Sequence, residues 1–307
     1  MASDLPPQIR ERTVAKARTL LEALPFMREH HGKVIVVKYG GAAMDRSGLA
    51  ASFAEDIALL QSAGITPVVV HGGGPQVTQV SARLGIETTF VDGLRVTDAE
   101  TLDVATMVLA GKLNKEVVGS LVAGGVAAVG LSGIDGGLLL ARRQVPDLGF
   151  VGEVVHVNAE VLRTLTDRRF VPVVASIAVD ETGQAYNVNA DVVAAELAIE
   201  LAAEKLVVIN DVPGLIGPTG DLLSELSAQQ CLDLLARGGV VEGGMIPKLE
   251  SAVDALRAGV KRVHLVDGRV EHSLVLELFT PEGVGTMIAP DAVRDDAAGV
   301  PAEVPSP

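Results

Sequence analysis

Two apolar runs that end in glycines constrain the fold of this chain more than any other feature. They cover residues 33–41 (KVIVVKYGG) and residues 65–75 (ITPVVVHGGGP). Each has the length and composition of a strand buried on both faces, and each ends where glycines let the backbone approach a ligand closely. Open α/β sheets bind their ligands beyond the carboxyl ends of such strands, so the two glycine turns are expected to share one crevice.

Lys38 stands at the carboxyl end of the first run and would face that crevice. Taken alone, it could equally be an ordinary strand residue with its ammonium group in solvent.

The three glycines of the second run predict an anion site. They are Gly72, Gly73 and Gly74, and Pro75 after them suits the first turn of a helix. Glycines before a helix N-terminus leave backbone N–H groups exposed at the positive end of the helix dipole. Neither the Walker spacing nor the dinucleotide spacing G-x-G-x-x-G occurs, so a phosphate cradle of another design is expected.

Composition narrows the class of protein. Hydrophobic residues make up 48% of the 307 residues, and strand-like and helical segments alternate throughout, which favours an α/β fold. The net charge of −14 argues against a nucleic-acid partner, because binding a phosphate backbone needs clustered cations. An anionic substrate would therefore be held by a few local cations that act against the field of the whole protein.

Cysteine usage and hydropathy indicate a cytoplasmic protein. Cys231 is the single cysteine, so no internal disulfide can form, and this suits a reducing compartment. No apolar segment reaches the roughly 18 residues of a membrane span, and the N-terminus lacks a signal-peptide pattern. We therefore expect a soluble chain with no membrane partner.

Periodicity and turn signals divide the chain into alternating elements. A helix is predicted over 8–24, ended or kinked by Pro25. A β-hairpin over 86–97 has its turn at Asp92 and Gly93 and could cover a site. Further helices are predicted over 49–63 and 98–122, from about 187 to about 203, and after the segment 243–248 as far as 258. Strands are predicted near 126–130, 138–145, 150–157, 170–176, 205–211 and 262–266. A lobe boundary is expected near residue 180, and residues 291–307 are expected to be disordered.

Each polar landmark has a structural explanation by itself. Asn187 and Asp191 could cap a helix and fill its first turn. Lys248 could be a solvated helix residue, and Arg95 a surface charge on the hairpin. Their joint pattern is harder to explain in this way.

That joint pattern resembles the N-acetylglutamate kinases of the amino-acid kinase superfamily. The motifs are KYGG from Lys38, HGGGP from His71, DGLRVT around Arg95, NVNAD from 187 to 191 and GGMIPK ending at Lys248. They occur in the family order and span residues 33–290. The first two are shared across the superfamily, whereas GLRVT and NVNAD are closer to the acetylglutamate kinases.

The resemblance implies a three-layer α/β/α sandwich around one open, mostly parallel sheet. The lobe of residues 31–180 would bind the amino-acid substrate, and the lobe of residues 181–290 would bind ATP. By position, Lys38 and Lys248 would flank the transferred phosphoryl group while Asp191 holds both. The amino acid would be bound by Gly73, Gly74, Arg95 and Asn187, and phosphate or nucleotide by Gly40, Gly41, Gly72 and Asp211.

The implied reaction is phosphorylation of the side-chain carboxylate of N-acetyl-L-glutamate to N-acetyl-L-glutamyl 5-phosphate, the second step of arginine biosynthesis. A carboxylate is already ionised at neutral pH, so no general base is required. Catalysis would then consist of positioning and of neutralising charge on the phosphoryl oxygens. Mg²⁺ would accompany ATP, held mainly by its phosphates and by water, and no protein ligand for the metal is predicted.

Residues 263–287 (VHLVDGRVEHSLVLELFTPEGVGTM) resemble the arginine-inhibited members of the same family, which also carry an N-terminal helix like that in residues 1–30. The resemblance implies a hexamer built as a trimer of dimers, and an L-arginine site beside the helical arm. Candidate residues for that site are His264, Glu277, Gly283 and Gly285. Alternatively, Glu277 is an exposed helix charge and the segment only completes the sheet.

Three rival functions stay open. The chain could be a related kinase acting on glutamate, aspartate or carbamate, although the GLRVT motif points away from these. It could be a catalytically silent arginine sensor or scaffold, which the intact Lys38, Asp191 and Lys248 disfavour. A Rossmann oxidoreductase is the third, weakened by the missing dinucleotide motif.

Overall fold

The structure is a computed structural model that describes residues 7–40, 44, 47–91, 93–146, 148–217, 219–237 and 241–291. Gly41, Asp92 and all but the first residue of the predicted tail lie outside the described residues.

The described elements alternate between strands and helices along most of the chain. The strands are β1 Val34–Tyr39, β2 Thr66–His71, β3 Phe90–Val91, β4 Leu94–Arg95, β5 Ala128–Ser132, β6 Leu139–Arg143, β7 Gly152–Val157, β8 Val171–Ala175, β9 Ile177–Val179, β10 Ala185–Asn187, β11 Lys205–Asn210, β12 Glu225–Ser227, β13 Arg262–Asp267 and β14 Thr286–Ala289. The helices are α1 Pro7–His30, α2 Ser47–Ser62, α3 Gly74–Arg83, α4 Ala99–Thr106, α5 Asn114–Ala123, α6 Glu160–Asp167, α7 Ala190–Glu200, α8 Ala228–Arg237, α9 Met245–Arg257 and α10 Ser273–Phe279.

An eight-stranded sheet forms the centre of the molecule, in the order β12-β14-β13-β11-β1-β2-β8-β5. Its pairs from β13 to β5 are parallel, and β14 is antiparallel to β13. The sheet runs without a break across the expected lobe boundary near residue 180, because β11 pairs directly with β1. Both halves of the chain therefore build one sheet.

Helices cover both faces of this sheet. Along β1, Val36 belongs to a core that also holds apolar residues of α6, α7, α8 and α9, whereas Ile35 and Val37 belong to a core with residues of α2, α5 and α10. This alternation is what a strand buried on both faces requires. The predicted three-layer α/β/α sandwich with an open, mostly parallel sheet is confirmed.

The direction in which strands are added changes at β1. The chain proceeds from β1 to β2 on one side of β1, and later places β11 on its other side. In open α/β sheets, ligands bind outside the carboxyl ends of the strands at such a switch point. A ligand site is therefore expected at the carboxyl ends of β1 and β2, where both glycine turns lie.

Two smaller sheets lie apart from the main one. One has the order β10-β9-β6-β7, and the other is the antiparallel hairpin of β3 and β4, in which Phe90 pairs with Arg95 and Val91 with Leu94. The predicted hairpin is confirmed, with strands shorter than the predicted range.

The predicted end of the first helix at residue 24 is wrong, and the alternative of a kink at Pro25 stays a prediction. The helix α1 continues through Pro25 to His30. A proline removes one N–H donor, which leaves the carbonyl of Leu21 without its intrahelical partner. Because Leu21 is exposed, water can bond that carbonyl in place of the missing donor.

The helix predicted over 98–122 contains an irregularity that the periodicity did not predict. Asp98 caps it by accepting the N–H of Thr101 at 2.8 Å, as expected for an N-terminal aspartate. Between α4 and α5, however, the backbone forms a π-helical segment over Met107–Leu113. Such segments are rare and often occur at functional sites.

None of the helices in the described ranges combines the length and the apolar composition that crossing a membrane requires.

Candidate active site

A cavity of about 240 Å³ opens at the carboxyl ends of β1 and β2. Much of its lining is backbone and small side chains of the two glycine runs, together with the hairpin and the segment that leads into α7. The predicted site residues that line it are Lys38, Gly40, Gly72, Gly73, Gly74, Arg95 and Asn187. The structure thus brings together residues that are up to 149 positions apart in sequence.

Gly73 has a conformation and surroundings that only glycine allows. Its φ is 154°, and a Cβ at this position would lie 2.7 Å from Leu109 and closer still to Leu113, both on the π-helical segment. Helix α3 begins at the next residue, Gly74, so the first N–H groups of that helix have no intrahelical acceptor. The predicted anion site at this turn therefore has the required local geometry.

Gly72 uses its backbone groups inside the protein. Its N–H donates to the carbonyl of Tyr39 at 3.2 Å, and its carbonyl accepts a hydrogen bond from Nδ1 of His71 at 2.9 Å. The N–H of Gly72 is therefore committed to the main chain of β1, and the available donors are on its successors.

Asp191 joins the two predicted catalytic lysines. Its Oδ1 lies 3.1 Å from Nζ of Lys38, and its Oδ2 accepts a hydrogen bond of 2.8 Å from Nζ of Lys248. A Cβ at Gly40 would lie 2.7 Å from the Lys38 ammonium, so glycine there leaves room for it. The three ionised side chains thus form one chain of contacts that ends at the cavity.

The charge of Asp191 is fixed by these contacts. Burial by itself would raise the pKa of the carboxyl group, but the ammonium groups of Lys38 and Lys248 outweigh burial and hold the pKa below its usual value. Asp191 is therefore ionised at neutral pH and cannot serve as a proton donor. Its chemistry is to orient two cations.

Asn189, which the sequence analysis did not single out, positions Asp191. Helix α7 begins after Asn189, whose Oδ1 accepts the N–H of Asp191 at 2.7 Å and that of Val192 at 3.4 Å. Asn187, which could have capped this helix, ends β10 instead. The spacing could have shown this, because an N-cap side chain bonds the second or third N–H that follows it.

Arg95 is held on two sides and has one free group. Its Nη2 donates to the carbonyl of Gly74 at 2.7 Å and to Oγ1 of Thr78 at 2.8 Å, and its guanidinium stacks over the ring of Phe90 at 4.8 Å. Nη1 is buried and has no hydrogen-bond partner among the residues that the structure describes. A buried donor without an acceptor is costly, and Arg95 lines the cavity, so a ligand acceptor is expected at its guanidinium.

Asn187 also lines the cavity. Its amide nitrogen donates to Oγ1 of Thr97 at 3.3 Å. Asp211, in contrast, follows β11 as an exposed residue and does not line this cavity, so its predicted nucleotide role stays a prediction.

Within the described part of the chain, no cluster of three or more His, Cys, Asp or Glu side chains is arranged to hold a metal ion. Both oxygens of Asp191 face lysines. The donor set at the cavity is therefore cationic and suits anions.

The comparison with known protein families agrees with this geometry. The sequence model of the amino acid kinase family matches residues 33–267, which include the glycine turns, the hairpin and all three ionised residues of the cluster. This chain belongs to the amino acid kinase family.

Curated relatives place the chain on the acetylglutamate kinase branch of the amino acid kinase family. It is 52% identical over 290 residues to the acetylglutamate kinase of Symbiobacterium thermophilum, covering 91% of this chain and 99% of the relative. It is 49% identical over 292 residues to the acetylglutamate kinase of Aquifex aeolicus, covering 90% and 98%. The resemblance drawn from the motifs is confirmed.

Solved structures show the same fold. The N-acetylglutamate synthase of Neisseria gonorrhoeae, in complex with coenzyme A and N-acetyl-glutamate, has a TM-score of 0.81 at 30% identity; the match covers 90% of this chain and 64% of that one. The carbamate kinase of Giardia lamblia bound to AMP-PNP has a TM-score of 0.61 at 18% identity, covering 85% of this chain and 99% of that one. The second likeness concerns the fold alone.

This amino acid kinase has a second polar cavity, of about 270 Å³, at the amino ends of β11 and β13, where α1 ends. His264, Glu277, Gly283 and Gly285, the predicted arginine-site residues, all line it. The other ionisable residues of the lining are Glu29, His30, Lys205, Glu225, Arg262 and Glu282. The lining of this cavity therefore contains both acidic and basic side chains.

Glu277 is buried at 8% exposure, so the alternative that it is an exposed helix charge is wrong. Its Oε1 accepts Nδ1 of His264 at 2.7 Å, and its Oε2 accepts the N–H groups of Val284 and Gly285 at 2.7 and 2.9 Å. Burial would raise the pKa of Glu277, but these hydrogen bonds outweigh burial and lower it. The loop that follows Gly283 thus binds a carboxylate of the protein itself.

His264 contributes an acceptor to this cavity. Burial lowers the pKa of His264, so the ring is neutral and its Nδ1 carries the proton donated to Glu277. Nε2 is then an acceptor, and it is buried with no partner in the described residues.

Proposed function

We propose that this enzyme transfers the γ-phosphoryl group of ATP to the side-chain carboxylate of N-acetyl-L-glutamate, giving N-acetyl-L-glutamyl 5-phosphate in the second step of arginine biosynthesis. The observation that carries the proposal is the arrangement of Lys38, Asp191 and Lys248 beside a cavity that Arg95 also lines. Three cations, from Lys38, Lys248 and Arg95, outnumber the one carboxylate of Asp191. The site is therefore locally positive in a protein of net charge −14. The two reactants, ATP and N-acetyl-L-glutamate, are both anions and need a locally positive site to bind side by side.

Arg95 binds the α-carboxylate of the amino acid in this proposal. Its guanidinium is preorganised by Gly74, Thr78 and Phe90, and its Nη1 has no acceptor among the residues that the structure describes. Charge-assisted hydrogen bonds of this kind are about twice as strong as neutral ones. Asn187, which also lines the cavity, offers amide groups to the same substrate.

The reaction needs no general base, because the attacking carboxylate is ionised at neutral pH. Lys38 and Lys248 neutralise the charge that develops on the transferred phosphoryl oxygens, and Asp191 keeps both ammonium groups in place. The backbone N–H groups of Gly73 and Gly74 supply further donors at the same point.

Magnesium bound with the nucleotide would neutralise phosphate charge. No cluster of protein ligands for it exists in the described ranges, so phosphate oxygens and water would form its shell. The protein itself would contribute positive charge through Lys38 and Lys248, which Asp191 holds in place.

The two halves of the chain would divide the substrates between them. Gly73, Gly74 and Arg95 come from residues 31–180, which would bind the amino acid, and Lys248 comes from residues 181–290, which would bind ATP. The names of the relatives support this choice of substrate over glutamate, aspartate or carbamate.

Trapping the product tests the bond that is formed. An acyl phosphate reacts with hydroxylamine to give a hydroxamate, so incubation with MgATP, N-acetyl-L-glutamate and hydroxylamine should yield the hydroxamate and ADP in equal amounts. ADP without hydroxamate would mean that water, and not the carboxylate, receives the phosphoryl group.

We also propose that L-arginine inhibits the enzyme by binding in the cavity beside α1. The neutral His264 offers an acceptor to a guanidinium, and Glu29 and Glu282 add negative charge, while Lys205 and Arg262 can pair with a carboxylate. Turnover should fall as L-arginine is added and stay unchanged with L-citrulline, which has the same shape and lacks the charge. Equal inhibition by both, or by neither, would oppose the proposal.

The helix α1 would join subunits into a hexamer. Leu20 and Leu21 are 71% and 65% exposed on this helix, although its last turns pack on the core of α2 and α10. An apolar surface of this kind on a projecting helix suits a second copy of the chain. The double variant Leu20→Glu, Leu21→Glu should sediment as a smaller species, and an unaltered sedimentation profile would contradict this role.

A further inference from the structure

The buried residue His71 stands directly before the glycine turn, and the proposed mechanism gives it no role. It is the last residue of β2 and has no solvent exposure. His71 does not itself line the cavity, and its Nδ1 is hydrogen-bonded to the lining residue Gly72. The hydrogen bonds around it fix both its protonation state and its orientation.

Asn114 shows which ring nitrogen carries the proton. The amide nitrogen of Asn114 donates to the carbonyls of Val173 and Leu131 at 2.9 and 3.2 Å, and its Oδ1 accepts Nζ of Lys115 at 3.0 Å. These partners set the amide orientation, so the contact of 3.2 Å between Nδ2 of Asn114 and Nε2 of His71 makes Nε2 the acceptor. Nδ1 therefore carries the proton.

That proton is donated to the carbonyl of Gly72 at 2.9 Å. Burial lowers the pKa of His71 to about 4, in agreement with a neutral ring that has one donor and one acceptor. The same carbonyl belongs to the peptide group whose N–H is that of Gly73.

The direction of the Gly73 N–H follows from peptide geometry. The one cis peptide bond in the described ranges is Val145–Pro146, so the Gly72–Gly73 bond is trans. In a planar trans peptide the C=O and the N–H point in opposite directions. Because His71 holds the carbonyl toward the buried interior, the N–H of Gly73 points the other way, toward the cavity.

Without this hydrogen bond, the peptide group could rotate easily. Both flanking residues are glycines, which adopt many more backbone conformations than other residues. A rotated peptide would present a carbonyl oxygen to the anion site in place of a donor. The π-helical segment contributes to the same arrangement, since Leu109 and Leu113 pack on Gly73 and Asn114 follows directly after the segment.

We infer that His71 is a positioning residue which holds the Gly72–Gly73 peptide so that the Gly73 N–H faces the transferred phosphoryl group. The inference rests on the proposed function for the identity of that group, and the orientation of the peptide itself is independent of it. Loss of one preorganised donor of this kind lowers kcat by roughly 100- to 1,000-fold in other enzymes. Partial rotation of the peptide should give a smaller loss.

The test compares His71→Leu, which removes the donor at similar volume, with His71→Asn, whose amide nitrogen can reach the position of Nδ1. Leu162→Ala in α6 is the control for loss of stability alone, because Leu162 is fully buried and lies outside the cavity lining. His71→Leu should lower kcat roughly tenfold or more with little change in KM for the amino acid. His71→Asn should recover most of the rate, and Leu162→Ala should keep it.

Crystal structures of the wild-type enzyme and of His71→Leu complete the test. A rotated or disordered Gly72–Gly73 peptide in the variant supports the inference. An unchanged peptide, an unchanged kcat, or a loss that His71→Asn does not recover overturns it. If the wild-type enzyme fails to phosphorylate N-acetyl-L-glutamate, the proposed function fails, and the two crystal structures still decide whether His71 orients the peptide.

Discussion

The ammonium nitrogen of Lys248 lies 2.8 Å from Oδ2 of Asp191, and this contact joins the start of α9 to the start of α7. The other carboxylate oxygen lies 3.1 Å from Lys38 at the end of β1. One buried carboxylate thus fixes two cations that come from elements far apart in sequence. In a reaction that requires positioning and charge neutralisation, this relationship is the centre of the site.

Asp191→Asn should show whether Asp191 acts through its charge, which positions the two lysines, or only through the space that its side chain fills. The amide is isosteric with the carboxylate but cannot hold two ammonium groups, so both lysines lose their common partner. We expect kcat to fall on the order of 100-fold, the usual cost of small misplacements of catalytic groups, while KM for the amino acid changes little. Steady-state kinetics measure this, with Glu196→Gln on the same helix as the control. An unchanged kcat would remove Asp191 from the catalytic machinery.

Lys248→Ala should lower kcat far more than it weakens the binding of either substrate. The reason is that its ammonium group meets charge which develops only in the transition state. Initial rates over a grid of ATP and amino-acid concentrations separate the two effects. A rise in KM at constant kcat would show that Lys248 serves ground-state binding instead.

Arg95→Lys should mainly raise KM for the amino acid. Lysine keeps the charge but lacks the planar fork, and it cannot reach Gly74, Thr78 and a substrate carboxylate at the same time. The lost charge-assisted hydrogen bond corresponds to about tenfold or more in KM. Arg83→Lys, at the end of α3, is the matched control because Arg83 is exposed. A KM equal to that of the control would place Arg95 outside the substrate site.

His71 should make the folded state sensitive to acid in a defined window. Its pKa is lowered by burial to about 4, whereas the unfolded chain has the ordinary value of 6.5. Below pH 6.5 the unfolded state takes up a proton that the folded state refuses until pH 4, so stability falls as the pH drops through this range. By linkage the loss is about 2 kcal/mol at pH 5.

The difference between two proteins isolates this effect. The free energy of unfolding of the wild type, minus that of His71→Asn, should fall by about 2 kcal/mol between pH 7.5 and pH 5. Urea denaturation at each pH measures it, and contributions from other histidines cancel in the difference. A difference that stays constant with pH would mean that His71 is charged, or exposed, in the folded protein.

The parts of this fold that depend on local sequence could be predicted. The buried strands before Lys38 and Gly72 were evident because β-branched runs followed by glycine specify a strand and its end within a few residues. The cap of α7 followed a similarly local rule, although Asn189 and not Asn187 satisfies it. The grouping of Lys38, Asp191 and Lys248 came from motif order, since no local rule brings positions so distant together.

The remaining features depend on tertiary contacts. The path of α1 through Pro25 depends on a carbonyl that solvent can reach, and the π-helical segment depends on the space that Gly73 leaves for Leu109 and Leu113. The role of His71 depends on Asn114, which is 43 residues away. From sequence alone, Glu277 could be an exposed charge on its helix. Its burial beside His264 depends on the tertiary fold.

The measurement that tests the central claim most directly is the initial rate of ADP formation with MgATP and N-acetyl-L-glutamate, beside L-glutamate and L-aspartate at equal concentrations. The arrangement of Arg95 and the two lysines predicts sustained turnover with the acetylated substrate and little with the two free amino acids. Turnover with L-glutamate or L-aspartate alone would contradict the proposed substrate. Turnover with none of them would contradict the catalytic role of the cluster of Lys38, Asp191 and Lys248.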